Sequence, residues 1–112
     1  MGMNEKQLGQ IRINSTTATS VYSPSASMNT VIKNIVVCNT SAATAKYRIF
    51  CDDNGTTYNQ STALFYDIEI LADTTHLLDT FIAMNNSTGN LAVYNSVANA
   101  ITFTLFGVEV TA

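Results

Sequence analysis

Apolar and polar positions alternate along much of this chain, and the pattern is strongest over residues 29–55. Residues 31–38 are dense in valine and isoleucine, whose branched side chains suit a pleated sheet better than a helix. Residues 45–51 then alternate in the manner of a half-buried strand. Small polar residues separate the two segments, and a turn sequence at residues 52–55 ends the second one. We therefore predict a long β-hairpin over residues 29–55 at the centre of the fold.

Residues 62–71 show the clearest alternation in the chain. One face of the predicted strand is apolar, whereas the other carries two carboxylates and is expected to contact water. The apolar face comprises Leu64, Tyr66, Ile68 and Ile70, and the wet face comprises Ala63, Phe65, Asp67 and Glu69.

Residues 75–84 fit two periods, because their apolar side chains match helical spacing as well as a strand. Asp79 and Thr80 also allow a division into two short strands. Since the neighbouring segments are β-rich, we favour strand.

The last segment, residues 101–111, changes phase along its length. A β-bulge produces such a switch, and Gly107 lies beside it. The predicted inward set changes from Ile101, Phe103 and Leu105 to Phe106, Val108 and Val110.

Weaker signals fill the rest of the chain with short strands at residues 8–13, 21–22 and 91–94, and with turns. About eight strands with turn signals roughly every 8–12 residues predict an all-β fold. We expect a single-domain antiparallel β-sandwich of jelly-roll or immunoglobulin-like type, with a small barrel as the alternative. Residues 1–7 are polar and are predicted to form a flexible N-terminal arm, and residues 8–112 the β-sandwich domain.

The chain is poor in charge for its length. Only 12% of its 112 residues are charged, about half the usual share, while 46% are apolar. The surface must therefore be mostly neutral and polar, which leaves little charge repulsion between copies. Such a surface suits a protein that works in an assembly.

Basic residues are too sparse for a nucleic-acid partner. The net charge is −3, and only Lys46 and Arg48 lie close together in the sequence. No apolar run approaches the ~20 residues that a membrane span needs, and the N-terminus lacks the apolar core of a secretory signal. We expect neither nucleic acid nor a membrane as a partner.

The two cysteines, Cys38 and Cys51, fall on the two arms of the predicted hairpin. They would lie three or four residues out of register, roughly 10–13 Å along the strands. A disulfide needs Cα atoms within about 7 Å, so we predict two free thiols and synthesis in the cytoplasm.

Residues that could support catalysis or metal binding are few. His76 is the single histidine, and the chain has no CxxC, HExxH or GxSxG motif. Asp67 and Glu69 could pair as acid and base, but carboxylates two apart on a strand are more often a solvated face. Residues 52–55 resemble part of a calcium loop but lack its spaced carboxylates, which favours a plain turn. We predict no catalytic, cofactor-binding or metal-binding residues, and no enzyme.

Tyrosines are the remaining candidates for binding, because their amphipathic rings are common at interfaces. Most are expected in the core, while one or two exposed rings could bind sugar or protein. The five are Tyr22, Tyr47, Tyr58, Tyr66 and Tyr94.

Five motifs spread over nearly the whole chain resemble small virion structural proteins of tailed bacteriophages. Those proteins usually show VPAG after the second motif, where this chain has SPSA at residues 23–26, a departure that affects a turn. The motifs are LGQ at residues 8–10, VY at 21–22, IVVCNTS at 35–41, YRIF at 47–50 and TLFGVEVT at 104–111.

The resemblance implies a non-enzymatic β-sandwich without cofactors, located in the virion after assembly in the host cytoplasm. The leading hypothesis is a capsid decoration or cement protein that stabilises the head. It would act as a homo-oligomer, with a trimer expected, bound to the major capsid protein or other virion proteins. The alternative is a tail, neck or fibre component that includes a receptor- or carbohydrate-binding module.

Overall fold

Eight β-strands make up the regular secondary structure of residues 3–111, the part of the chain that this computed structural model describes. Met1, Gly2 and Ala112 lie outside the described residues. The prediction of about eight strands is confirmed. The strands are β1 (Met3–Arg12), β2 (Thr19–Tyr22), β3 (Met28–Asn39), β4 (Ala45–Asp52), β5 (Ala63–Ile70), β6 (Thr75–Met84), β7 (Asn90–Asn95) and β8 (Ile101–Thr111).

The strands form two four-stranded sheets with the orders β1-β8-β3-β6 and β2-β7-β4-β5, which we call sheet A and sheet B. Every pairing is antiparallel. The first strand pairs with the last, the second with the seventh, the third with the sixth and the fourth with the fifth. The chain is therefore folded like one long hairpin that is wound over two layers, which is a jelly roll. The predicted all-β sandwich is confirmed, in its jelly-roll form.

The predicted hairpin over residues 29–55 is wrong, because β3 lies in sheet A and β4 in sheet B. The chain crosses between the layers at residues 40–44. Asn39, fully buried at the end of β3, stabilises this crossing: its Nδ2 donates to the carbonyl oxygens of Ala43 at 2.8 Å and Ile70 at 3.1 Å. Local pattern identified both strands, but it carries no information about which partner each strand chooses.

The core lies between the two sheets. Tyr47 of sheet B is fully buried against Phe103 of sheet A, with ring centroids 6.2 Å apart. Its hydroxyl lies 3.0 Å from Nδ1 of His76 on β6, so a polar contact also joins the layers. Other large buried side chains include Ile32, Ile35, Ile49, Ile70, Met84, Leu91, Ile101 and Leu105.

The predicted faces of β5 are wrong over its first half. Phe65 packs against the core, whereas Leu64 and Tyr66 are exposed. Asp67 has a left-handed backbone with φ of 53°, and the register with β4 shifts at this point by one residue. A one-residue bulge turns every following side chain to the other face, so Ile70 points inward as predicted.

Residues 75–84 form one continuous strand, β6, which confirms strand over helix. The predicted bulge within the last strand, with Phe106 in the inward set, is wrong: β8 has no extra residue, and the irregularities opposite Gly107 lie in its neighbours. β1 shifts register between Gln7 and Gly9, and β3 between Ile32 and Asn34, while Phe106 stays exposed. A Cβ on Gly107 would clash with the backbone of β3, which explains why glycine occupies this position.

The prediction of a flexible arm is wrong for residues 3–7, because these residues belong to β1. They pair with β8, with Met3 opposite Val110 and Gln7 opposite Phe106. This half of β1 has no apolar alternation because all of its side chains are exposed. An edge strand held by main-chain hydrogen bonds leaves little trace in the hydrophobic pattern. Residues 1 and 2 of the predicted arm lie outside the described part of the chain.

Candidate functional site

The two lateral sides of the sandwich differ in composition. β1 contacts β2 across the layers, so these strands form one side, and the opposite edge strands β5 and β6 form the other. Six of the nine large apolar side chains that are exposed within residues 3–111 fall between residues 64 and 81. We call this group the open side; it comprises Leu64, Tyr66, Ile68, Leu71, Leu77 and Phe81.

Two of these residues project from β6 almost without cover. Phe81 is 78% exposed and Leu77 66% exposed, and both lie on the outer face of a strand whose other edge has no partner among the described residues. An edge strand with exposed apolar side chains is a ready site for association.

Carboxylates on and beside the open side are held by neighbouring groups. Asp79 Oδ1 accepts a hydrogen bond from Nδ2 of Asn34 at 2.7 Å. Asp67 accepts from Nε of Arg48 at 2.6 Å and from Nη2 at 3.3 Å. The hydrogen bond from Arg48 lowers the pKa of Asp67 below its usual value. Burying these carboxylates against a second protein therefore carries a smaller desolvation cost than burying carboxylates without such partners.

An aromatic cluster covers the outer face of sheet B beside the open side. The guanidinium of Arg48 lies between two tyrosine rings, 4.2 Å from the centroid of Tyr66 and 4.5 Å from that of Tyr94. These distances are within the range of cation–π attraction. Phe50 on the same face is buried beneath Tyr58 and Tyr66, with centroid distances of 6.3 and 6.5 Å. The aromatic cluster comprises Arg48, Phe50, Tyr58, Tyr66 and Tyr94.

The opposite side, formed by β1 and β2, is closed by polar contacts, and we call it the closed side. The hydroxyl of Tyr22 donates to Oε2 of Glu109 at 2.7 Å and lies 2.7 Å from Oγ1 of Thr30. Lys6 adds an ion pair to Glu109 at 3.3 Å. Burial raises the pKa of Tyr22 to about 12, and the hydrogen bond from Tyr22 lowers the pKa of Glu109. This network joins sheet B to sheet A.

The five tyrosines divide into two groups. Tyr22 and Tyr47 are buried between the sheets, so the prediction that most of the five lie in the core is wrong. Tyr58, Tyr66 and Tyr94 meet in the aromatic cluster, which the sequence did not predict. The outward position of Tyr66 depends on the bulge at Asp67, and the local sequence pattern does not predict that bulge.

The other candidate residues lie apart from one another. His76 is half-buried and faces Tyr47, as expected for a histidine at the edge of the core. Asp67 pairs with Arg48, whereas Glu69 lies opposite Lys46 on β4. Asp52 stabilises the predicted turn by accepting the N–H groups of Asn54 at 3.0 Å and Thr57 at 2.9 Å, and these bonds lower its pKa.

Cys38 and Cys51 are free and half-buried, and they lie in different sheets. The register argument that separated them was wrong, because β3 and β4 are not paired. Burial raises the pKa of the Cys51 thiol. Among residues 3–111 no group of three or more His, Cys, Asp or Glu side chains is arranged to hold a metal ion. The same residues contain no helix long and apolar enough to cross a membrane.

Comparison with known proteins supports the fold. No protein-family model matches the sequence, and no curated protein sequence matches it. A chain in the structure of infectious bursal disease virus, Gx strain, is similar with a TM-score of 0.53 at 15% sequence identity. The similarity covers 98% of this chain and 30% of the viral chain, so the protein spans less than a third of that chain's length. At this identity the similarity shows a shared β-sandwich and nothing further.

Proposed function

We propose that this protein is a non-enzymatic structural component of a virus particle that assembles through its open side. The observation that carries the proposal is the concentration of exposed apolar side chains on the two edge strands β5 and β6. The likeness in fold to a chain of a virus structure is consistent with this role.

A second copy of the same chain is the partner that best fits the open side. With 12% charged residues, the surface offers little repulsion between copies. The open side carries two different edges, so β5 of one copy can face β6 of the next. Such a contact is heterologous, and it closes into a ring when the rotation between copies divides a full turn. We propose a homo-oligomer of this kind, with a trimer as its form.

The more specific proposal is a bacteriophage decoration or cement protein that binds the major capsid protein and stabilises the head. Its support is the resemblance of the sequence motifs to virion proteins of tailed bacteriophages. Those motifs fall on β1, β2, β3, β4 and β8. Many small interfaces in a shell add by avidity, which suits a domain of this size.

Electron microscopy of particles labelled with antibody to this chain tests the location directly. The proposal predicts label distributed over the head. Particles that lack the protein should open or lose DNA at a lower temperature, and should tolerate low salt less well, than complete particles. Unlabelled particles, or particles whose tolerance of heat is unchanged without the protein, would contradict the cement role.

A tail, neck or fibre component is the second candidate, and the aromatic cluster is the observation that favours it. An exposed tyrosine, Tyr66, beside an arginine and two half-buried tyrosines suits recognition of a receptor better than attachment to a shell. In the same micrographs, label confined to the tail or neck would support this candidate against the first.

A further inference from the structure

Two shallow depressions flank Arg48 on the outer face of sheet B, and Tyr58 lines both of them. Phe50, which lines one of them, is buried. Their linings are rich in hydroxyl and amide groups and contain no ionisable side chain besides arginine and tyrosine. One depression adds Thr16, Thr17 and Thr56, and the other adds Asn59, Gln60 and Ser61.

The charge of the aromatic cluster is balanced internally. Asp67 accepts from Nε and Nη2 of Arg48, and its carboxylate neutralises the guanidinium. The remaining guanidinium N–H groups have no protein acceptor within residues 3–111 and stay able to donate. An anion gains little here, because Asp67 already occupies the arginine and would repel it. A neutral ligand with many hydroxyl groups meets no such penalty.

The depressions combine ring faces with hydrogen-bonding groups on a rigid base. Arg48 holds the rings of Tyr66 and Tyr94 in place, and strands β4, β5 and β7 carry these three side chains. A sugar ring has an apolar face of C–H groups that stacks on an aromatic ring, and a rim of hydroxyls that bond to amides and guanidinium groups. Fixed side chains lose little entropy on binding such a ligand.

We propose that the aromatic cluster is a binding site for a neutral saccharide. One sugar unit stacks beside Tyr58 and Tyr66, and its hydroxyls bond to Arg48 and to the amide of Gln60. The site goes beyond the proposed structural role. It shares Tyr66 with the open side, but the other members of the cluster lie on the face of sheet B, and the outward side chains of β6 take no part.

Titration of ¹⁵N-labelled protein with maltose, cellobiose, lactose and galactose tests the proposal. Sugar concentrations should reach tens of millimolar, since single-sugar sites on a surface are weak. At least one sugar is expected to produce saturable shifts at the backbone amides of Arg48, Tyr58, Gln60 and Tyr66. If none of the four does so, or if the shifts map to another surface, the proposal is overturned.

Galacturonate provides the matched test of charge, because it differs from galactose by one carboxylate. It should bind no more tightly than galactose. Tighter binding of galacturonate would indicate that the site prefers anions, and this result would overturn the proposal.

Substitutions test whether the sugar binds at the aromatic cluster. Tyr58→Ala should weaken the best sugar at least tenfold. Gln60→Ala, at an exposed position without a side-chain hydrogen bond to any of residues 3–111, should weaken it several-fold while the fold stays intact. Phe81→Ala is the matched control, since it removes an exposed aromatic ring from the other sheet and should leave sugar affinity unchanged. Unchanged affinity in Gln60→Ala and Tyr58→Ala together would overturn the assignment.

Phe81→Ala also separates this inference from the proposed assembly. It is expected to weaken self-association and spare sugar binding, whereas Gln60→Ala should do the reverse. Failure of either proposal can therefore be recognised without the other.

Discussion

The closed and open sides of the sandwich differ in the side chains that their edge strands present to solvent. On the closed side, β1 carries charged and polar side chains, and Tyr22, Thr30 and Glu109 join the layers by hydrogen bonds. On the open side, β5 and β6 expose apolar side chains, with Phe81 and Leu77 the most exposed of those on β6. Charged edge strands discourage pairing with other chains, whereas apolar ones invite it.

The backbone reinforces this difference. Gly9 on β1 lies so close to β2 that an added Cβ would sit 2.8 Å from the carbonyl oxygen of Val21. The closed side is therefore sealed by the approach of two main chains, which leaves no room for a partner between them. Of the two sides, only the open side presents apolar edge strands, so the proposed self-association would use that side.

The largest expected effect is on association through the open side. Leu77→Lys combined with Phe81→Lys replaces two exposed apolar side chains by charges that must be desolvated in any contact. We expect self-association to weaken at least about 100-fold, or ~2.7 kcal/mol, measured by sedimentation equilibrium. Met3→Lys is the control, because Met3 is 75% exposed on β1 and should not affect association. A double variant that associates like the wild type would remove the distinction between the sides.

A smaller effect is expected from Gly9→Ala on the closed side. The new Cβ forces β1 and β2 apart at Val21, so the free energy of unfolding should fall by about 1–3 kcal/mol in urea titrations. Arg12→Ala, at an exposed position on the same strand, should change it by less than about 0.5 kcal/mol. Equal stability of the two variants would show that the close approach is not needed.

Removal of the Tyr22 hydroxyl is expected to have the third-largest effect, on the free energy of unfolding. Tyr22→Phe leaves Thr30 and Glu109 without their shared partner, which should cost about 1–2 kcal/mol of unfolding free energy. Tyr66→Phe is the control, because the Tyr66 hydroxyl makes no hydrogen bond within the described residues and the variant should be neutral. Thermal unfolding of both proteins measures the difference, and a neutral Tyr22→Phe would mean that the network contributes nothing to closure.

The smallest expected effect is on how the free energy of unfolding depends on pH. The pKa of Glu109 is lower in the folded protein than its ordinary value of 4.5, because Tyr22 and Lys6 stabilise the carboxylate. The stabilisation is therefore complete above the ordinary pKa and disappears as the pH falls through the lower folded value. Below about pH 5, wild type should lose more unfolding free energy than Tyr22→Phe does.

Asp52 and Asp67 also have lowered pKa values, but they are unchanged in that variant, so the difference between the two proteins isolates Glu109. Parallel curves of unfolding temperature against pH would contradict the linkage.

Part of the candidate surface was readable from the sequence, and part was not. Low charge predicted a surface for assembly, and the alternation in residues 62–71 located the strand that became β5. The same alternation assigned Leu64 and Tyr66 to the core, because a strict period of two cannot anticipate the extra residue at Asp67. The outward position of Tyr66, and with it the contribution of β5 to the aromatic cluster, follows from that bulge.

Strand pairing shows the same limit. The sequence by itself determined that β3, β4 and β8 are strands and that turns separate them, because branched side chains and turn residues act on their immediate neighbours. Only the tertiary structure decided that β3 pairs with β6 and β8 and leaves β4 to the other sheet.

The partners of β1 illustrate the physical reason. Residues as distant as Met3 and Val110 meet because closing the core between two layers leaves β8 beside β1. That choice depends on every strand at once, and no short stretch of the chain encodes it. Local patterns decide what each segment becomes, whereas the closing of the core decides where it lies and which of its faces remains in water.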